Sequence, residues 1–242
     1  MANKGETKSQ KSISAPKVRQ FLRKANVFTV KSRPGPHSKE TSVPLSFAMR
    51  TLLGATENLK ETKKVISNGD VKVNAKIRKD YRFAVGIFDT IELVASKKKY
   101  RAILDRKGRL QFVEIDIKSK DFKVSKIVSK KAVKGNKTWI TTNDGFTIDI
   151  GKEKISVGDS IKVSLPEGKI EEIFPMAKGN SIFIIGGTHV GKTIKISDIT
   201  EGTGQRKKLI SLVEGDKDFQ TVAKNVFVVG KDKPALEVLE AK

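Results

Sequence analysis

From about residue 98 onward, apolar and polar residues alternate along nearly all of the remaining chain. A period of two is typical of half-buried β-strands, and turn sequences such as Asp105-Arg106-Lys107-Gly108 and Asn143-Asp144-Gly145 separate the alternating runs. Strands are predicted at Tyr100–Asp105, Leu110–Ile115, Phe122–Val128, Thr138–Thr141, Thr147–Ile150, Ser160–Ser164, Lys169–Phe174, Ser181–Ile185, Thr193–Ile199, Leu209–Val213, Thr221–Ala223 and Val226–Val229. Short strands at such regular spacing indicate β-barrels or β-sandwiches.

The chain carries a large surplus of positive charge. Its 242 residues include 49 Lys and Arg against 27 Asp and Glu, which gives a net charge of +22. The surplus is most one-sided in residues 1–42, which hold ten basic and two acidic residues. Such a surface gains affinity for nucleic acid by counterion release, although charge alone would also attract an anionic membrane.

Several classes of site are excluded or disfavoured by residue types that are absent or rare. The sequence has no Cys and only His37 and His189, so a disulfide scaffold and a thiolate metal site are excluded and a histidine zinc site is disfavoured. No apolar run approaches the roughly 18 to 20 residues of a membrane span, and no Ser/His/Asp arrangement stands out. We therefore expect a soluble cytoplasmic protein that does not span a membrane and has neither a metal site nor a Ser/His/Asp triad.

Residues 1–42 are predicted to form a basic arm and linker. Residues 17–25 could form a short basic helix, whereas the two prolines flanking a glycine in Ser32–His37 predict an extended segment. For His37 itself, an RNA contact and a surface imidazole with no RNA role remain equally open.

Two short helices are predicted next. The first begins at Pro44 and ends at Gly54, because apolar residues between them recur at helical spacing. The second begins at Asn58, with Glu61 placed as in a capping box, and ends at Gly69. Val71–Ile77 then alternates around Asn74-Ala75, which predicts a β-hairpin.

This helix–helix–hairpin order resembles the S-four RNA-binding domain, which presents two short helices and a hairpin to structured RNA. The resemblance implies an RNA face made of basic residues on the helices and hairpin, namely Arg50, Lys60, Lys63, Lys64, Lys72, Lys76, Arg78 and Lys79. The arm is predicted to add further RNA contacts from Lys17, Arg19, Arg23, Lys24, Arg33, His37 and Lys39.

Gly186–Thr193 matches the phosphate-binding loop pattern G-x-x-x-x-G-K-[ST] at every required position. That loop holds phosphate at the N-terminus of the helix that follows it, but Ile194–Ile199 reads as a strand. A β-turn is therefore predicted, and a P-loop nucleotide-binding protein stays as the alternative. The turn resembles the KOW motif, which implies RNA contacts by Gly187, Gly191 and Lys192.

The order of these parts resembles the archaeal and eukaryotic ribosomal protein S-four-e family. Short stretches throughout the chain carry the resemblance: Ala15-Pro16, Val27-Phe28, Gly35-Pro36-His37, Pro44-Leu45, Asp70–Asn74, Gly86–Asp89 and Asn225–Lys231. It implies a non-enzymatic constituent of the cytoplasmic ribosome, bound to small-subunit rRNA beside neighbouring ribosomal proteins. It also implies that the protein has no catalytic residues, no cofactor and no small-molecule substrate. A modification enzyme or heat-shock factor anchored by an S-four domain is a third possibility, but the rest of the chain offers no catalytic constellation.

The predicted fold class is α+β and mostly β. It comprises a basic N-terminal arm and linker (1–42), a small helix–helix–hairpin S-four-like domain (43–97), a central β-barrel-like domain (98–175), a C-terminal SH3-like KOW barrel (176–232) and a tail (233–242). Trp139, the one tryptophan of the chain, lies in an alternating strand. We predict that it belongs to the core, and a base-stacking surface is the less favoured alternative.

Overall fold

The computed structural model describes residues 7–117, 121–135, 137–151, 155–203, 206–214 and 217–236. They form two compact units, the first made of the described residues up to 105 together with 109–117, the second of 106–108 and the described residues from 121 onward. The described part of the chain is mostly β, as the alternation predicts, with only short helices. No helix within it is long and apolar enough to cross a membrane.

The N-terminal segment contains a small antiparallel pair of strands, β1 (Ser9–Lys11) and β2 (Phe28–Val30), with a 3-10 turn at Ser12–Ser14. The prediction of a basic helix over 17–25 is wrong, because the segment forms a series of turns. Tertiary contacts override the local helical preference there, since the carbonyl of Val18 accepts the backbone N–H of Leu110.

The next segment begins with strand β3 (Val43–Pro44) and contains the two predicted helices. Helix α1 (Leu45–Phe47) continues directly as a π-helical turn over Ala48–Leu52. Helix α2 (Leu59–Asn68) ends at Gly69, whose φ of 94° gives the expected left-handed cap. The capping box differs from the prediction, because the Glu61 carboxylate accepts the backbone N–H of Glu57 rather than that of Asn58.

The main sheet of the first unit is antiparallel and follows α2. Its strands are β4 (Val71–Val73), β5 (Lys76–Ile77), β7 (Thr90–Leu93), β8 (Lys98–Leu104) and β9 (Leu110–Ile115). The short strand β6 (Ala84–Val85) does not belong to this sheet and pairs with β3. The strand order is β5-β4-β7-β8-β9. The predicted hairpin is confirmed, with Asn74 and Ala75 both at positive φ, 52° and 60°.

The second unit contains two five-stranded antiparallel sheets. The strands of the first are β10 (Phe122–Val133), β11 (Lys137–Thr142), β12 (Thr147–Asp149), β13 (Ser160–Ser164) and β14 (Ile170–Phe174), in the order β12-β11-β10-β13-β14. The long β10 pairs with β13 through residues 122–126 and with β11 through 127–133. An isoleucine-rich core that includes Ile127, Ile140 and Ile161 lies under this sheet.

The strands of the second sheet are β15 (Ser181–Ile184), β16 (Thr193–Thr200), β17 (Leu209–Glu214), β18 (Lys217–Val222) and β19 (Val226–Gly230), in the order β18-β17-β16-β15-β19. The predicted strand Thr221–Ala223 differs, because β18 ends at Val222 and a 3-10 turn occupies Ala223–Asn225. The Lys126 ammonium links β10 to this region by donating to the carbonyls of Ala223 (2.6 Å) and Val226 (2.8 Å).

Trp139 is placed differently from the prediction that it belongs to the core. Its side chain is 44% exposed, whereas the next residue in β11, Ile140, is fully buried. Alternation identifies residues that share a face of a strand, but it does not decide which face is buried. Here the aliphatic face, with Ile140 and Ile148, packs on the core and the face with Trp139 is left outside.

Candidate nucleic-acid interface

Helix α2 divides its residues into a buried face and a basic face. Thr62 and Ile66 are fully buried, whereas Lys60, Lys63 and Lys64 are all exposed. Residues three and four positions apart lie on the same side of a helix, so the three ammonium groups share one face. Three like charges on one face repel each other, and a polyanion placed there would relieve that repulsion.

The segment after the β4–β5 hairpin brings further cations alongside this helix. The Lys63 ammonium lies 4.6 Å from the ring centre of Tyr81, and the Arg78 guanidinium lies 4.6 Å from that of Phe83. A side chain at Gly69, the helix cap, would contact Ile77 and Lys79 at 3.4 and 3.9 Å. The contacts of Lys63 and Gly69 bring α2 beside the segment that follows the hairpin. The basic residues of these two neighbouring segments make up the helix–hairpin cluster: Lys60, Lys63, Lys64, Lys76, Arg78 and Lys79.

Few carboxylates offset the charge of this cluster. Among the described residues, none lies within ion-pair distance of Lys60, Lys64 or Lys79. Lys72 differs, because its ammonium is half-buried and pairs with Glu92 at 2.9 Å on the neighbouring strand β7. Arg50 is also half-buried, in the π-helical turn.

The exposed cations of the arm are spread along it. Lys17, Lys24 and Lys39 are exposed, and the half-buried Arg23 donates to the backbone carbonyl of Ile13 at 3.1 Å. Arg33 is exposed and pairs with Asp80 at 3.2 Å, which attaches the predicted linker to the segment after the hairpin.

Two predicted arm contacts, Arg19 and His37, are instead buried, at 2% and 9% exposure. The Arg19 guanidinium donates to the Val30 carbonyl and to the Ser32 hydroxyl, both at 2.8 Å. Its burial lowers the pKa of Arg19 to about 10. His37 Nε2 lies 2.8 Å from the buried Asp89 carboxylate. His37 therefore holds the arm against the rest of the first unit, whereas Arg19 joins two parts of the arm itself.

The predicted turn after β15 is present. The backbone N–H of Gly191 donates to the Ile184 carbonyl at 2.9 Å, and Gly187 and Gly191 have φ values of 97° and 79°. Lys192 is half-buried. Strand β16 begins at Thr193, where a phosphate-binding loop would require a helix, so the nucleotide-binding alternative has no support.

A second basic element was missed in the sequence. The hairpin of β10 and β11, residues 129–139, carries Lys130, Lys131, Lys134 and Lys137 and has no acidic residue. The available signal was the four lysines within residues 130–137, with no acidic residue between them. The net charge of the whole central region does not locate these lysines, because its eleven acidic residues lie elsewhere in that region.

Comparison with known proteins identifies the family. The family described as "Ribosomal family S4e" matches residues 96–170, and the "RS4NT (NUC023) domain" matches residues 4–40. The small ribosomal subunit protein eS4 of Methanosphaera stadtmanae is 36% identical over 239 residues, covering 99% of each chain. That of Methanocella arvoryzae is 34% identical over 231 residues, covering 96% of this chain and 97% of the relative.

A solved structure agrees with these relatives. The crystal structure of the 30S ribosomal protein S4e from Thermoplasma acidophilum is similar, with a TM-score of 0.68 and 32% identity. It covers 79% of this chain and 96% of its own length. The chain therefore belongs to the eS4 family of small ribosomal subunit proteins.

Proposed function

We propose that this protein is a structural constituent of the small ribosomal subunit that binds and stabilises folded rRNA. The observation that carries the proposal is the helix–hairpin cluster, in which basic residues are carried by α2 and by the neighbouring segment 76–79. Positive charge that is fixed on a helix and a hairpin suits the regularly spaced phosphates of double-helical RNA.

Recognition by this cluster would depend on RNA shape more than on base sequence. The deep, narrow major groove of an A-form helix hides the base edges from side chains, so phosphates and 2′-hydroxyls are the accessible groups. Exposed lysines of the arm, such as Lys17, Lys24 and Lys39, would add contacts with neighbouring rRNA. Arg19 and His37 are left out of the proposed interface because protein atoms already surround them.

The proposed architecture follows the same assignment. Residues 1–42 serve as a basic arm, and 43–97 as an S-four-like RNA-binding domain whose sheet is extended by β8 and β9 as far as Ile115. The remainder of 98–175, after Ile115, supplies the β-rich centre, and 176–232 supplies a KOW barrel of the SH3-like kind, followed by a tail at 233–242. The last six residues of that tail lie outside the described residues.

The protein would act in the cytoplasmic ribosome beside other ribosomal proteins, without enzymatic activity. Filter binding to a small-subunit rRNA transcript over a series of salt concentrations tests the proposal. We expect tight binding whose logarithm falls linearly with the logarithm of the salt concentration, because each phosphate contact releases counterions. Binding that is weak at low salt and insensitive to salt would contradict it.

A charge-matched pair of variants distinguishes the helix–hairpin cluster from general attraction. The variant with Lys60→Ala, Lys63→Ala and Lys64→Ala should lose affinity and lower the salt slope by roughly one unit per lost contact. A control variant removes the same charge from lysines that already pair with carboxylates: Lys178, Lys195 and Lys231. It should bind almost as well as the wild type, and equal losses in both variants would reject a specific role for the cluster.

A further inference from the structure

The hairpin of β10 and β11 presents an aromatic side chain to solvent from the middle of a sheet. Trp139 lies in β11 and is paired on one side with Lys131 of β10 and on the other with Asp149 of β12. Its side chain is 44% exposed. An exposed apolar residue alone requires no explanation, so the argument depends on what surrounds this one.

Most of the charged neighbours of Trp139 on this face are cationic. Lys131 lies directly across the strand pair, and Lys137 lies two residues away, on the same face because side chains alternate along a strand. Lys134 follows in the loop. All three are exposed, and no carboxylate of the described residues lies within ion-pair distance of them. The one acidic neighbour, Asp149, uses its carboxylate to accept the backbone N–H of Gly151 at 3.0 Å.

The opposite face of the hairpin is committed to the protein. Ile140 and Ile148 pack in the core there, and the Lys130 ammonium donates to the carbonyl of Ile155 at 2.9 Å. The core and this hydrogen bond hold the base of the hairpin, so the indole is carried on a fixed sheet. An aromatic ring held in advance loses little entropy when a ligand stacks on it.

We propose that Trp139 stacks against an unpaired base of single-stranded RNA, while Lys131, Lys134 and Lys137 bind the flanking phosphates. Stacking of a base on an aromatic side chain, combined with a basic surface along the backbone, is how proteins hold single strands with little dependence on sequence. The inference rests on the proposed function for its class of ligand, RNA. It assigns a different surface and a different RNA form, since the helix–hairpin cluster would bind double-helical RNA.

Intrinsic fluorescence tests the proposal directly, because Trp139 is the one tryptophan of the chain. Titration of the full-length protein with single-stranded oligoadenylate should quench the tryptophan emission and protect the indole from acrylamide. Duplex RNA of the same length should bind without quenching, since its bases are stacked within the helix. Oligoadenylate that fails to bind, or that binds without altering the emission, overturns the proposal.

Variants separate stacking from charge. Trp139→Ala should weaken oligoadenylate binding on the order of tenfold, and Trp139→Phe should restore most of the affinity. Phe146→Ala is the matched control, because Phe146 is an aromatic residue that is similarly exposed, at 43%. Its backbone carbonyl accepts the N–H of Thr142, a residue whose side chain lies on the core face and not on the face of Trp139. Trp139→Ala that binds like the wild type, or Phe146→Ala that loses as much as Trp139→Ala, overturns the proposal.

The same measurements keep the two proposals apart. If the rRNA transcript binds and remains sensitive to the loss of Lys60, Lys63 and Lys64 while oligoadenylate does not quench Trp139, the stacking site is rejected and the proposed function stands. If neither RNA binds, both proposals fail. Circular dichroism of each variant verifies that these exposed substitutions leave the fold intact.

Discussion

His37 Nε2 and Asp89 Oδ2 are 2.8 Å apart, and both side chains are buried. The same carboxylate accepts the backbone N–H of Gly86 at 2.8 Å and the amide of Asn74 at 2.7 Å. Asp89 therefore joins the linker that carries His37 to the turn of the β4–β5 hairpin. The Arg33–Asp80 ion pair is a second attachment of the same linker.

The first prediction concerns the fit of His37 against Gly86. A Cβ atom at Gly86 would overlap the imidazole ring, so Gly86→Ala should destabilise the first unit. His37→Ala should cost about 1–3 kcal/mol because Asp89 loses a buried hydrogen-bond partner. Urea unfolding of both single variants and the double variant measures the coupling. Gly86→Ala should lower the free energy of unfolding clearly less in the His37→Ala background than in the wild type. Strictly additive losses of unfolding free energy would refute the contact.

The second prediction concerns Arg19. Arg19→Met removes the hydrogen bonds to Val30 and Ser32 but keeps an apolar side chain of similar length. The arm should become cleavable by trypsin at its lysines and arginines, because β2 is no longer tied to the turn that contains Arg19. Lys17→Met is the control, since Lys17 is exposed and two positions away. Equal resistance of Arg19→Met and the wild type would argue against the buried guanidinium as the link.

The third prediction is a pH dependence from Lys126. Burial lowers the pKa of Lys126 from 10.5 to about 8. Between these two values the unfolded chain keeps the proton that the folded chain has released, so the free energy of unfolding gains a contribution that rises with pH. The wild type should become more stable relative to Lys126→Met across that window. Parallel stability profiles of the two proteins would contradict the lowered pKa.

The fourth prediction concerns the hairpin turn. Ala75 has a φ of 60°, a conformation that glycine adopts without strain and alanine does not. Ala75→Gly should stabilise the first unit by roughly 0.5–1 kcal/mol, measured by thermal unfolding. Ala95→Gly serves as the control, because Ala95 is exposed in a turn and has no positive φ. It should bring no gain, and a similar gain at both positions would show that the strain at Ala75 is unimportant.

Local patterns predicted much of the secondary structure. Helix α2 with its Gly69 cap, the Asn74-Ala75 hairpin and most later strands follow from periodicity and turn residues, which act over a few positions. The motif at Gly186–Thr193 alone suggested a phosphate-binding loop. The strand pattern after Gly191 correctly predicted a β-turn in its place.

The errors arose where distant residues decide the structure. From its neighbours in the sequence, His37 is predicted to lie in a linker. Its buried position results from the contact with Asp89, which is 52 positions away. Residues 17–25 have helical preferences that contacts with β2 and β9 override. The face of β11 that carries Trp139 depends on how the whole sheet packs, which no local pattern contains. The predicted rRNA contacts, by contrast, stay predictions.

Cross-linking of RNA to protein in intact small ribosomal subunits tests the central proposal most directly. The subunits are irradiated, and the cross-linked peptides are identified by mass spectrometry. We predict rRNA cross-links on peptides that span α2 and residues 76–79, with fewer on peptides around Lys178, Lys195 and Lys231. Absence of the protein from purified small subunits, or cross-links that avoid the helix–hairpin cluster altogether, would contradict the account.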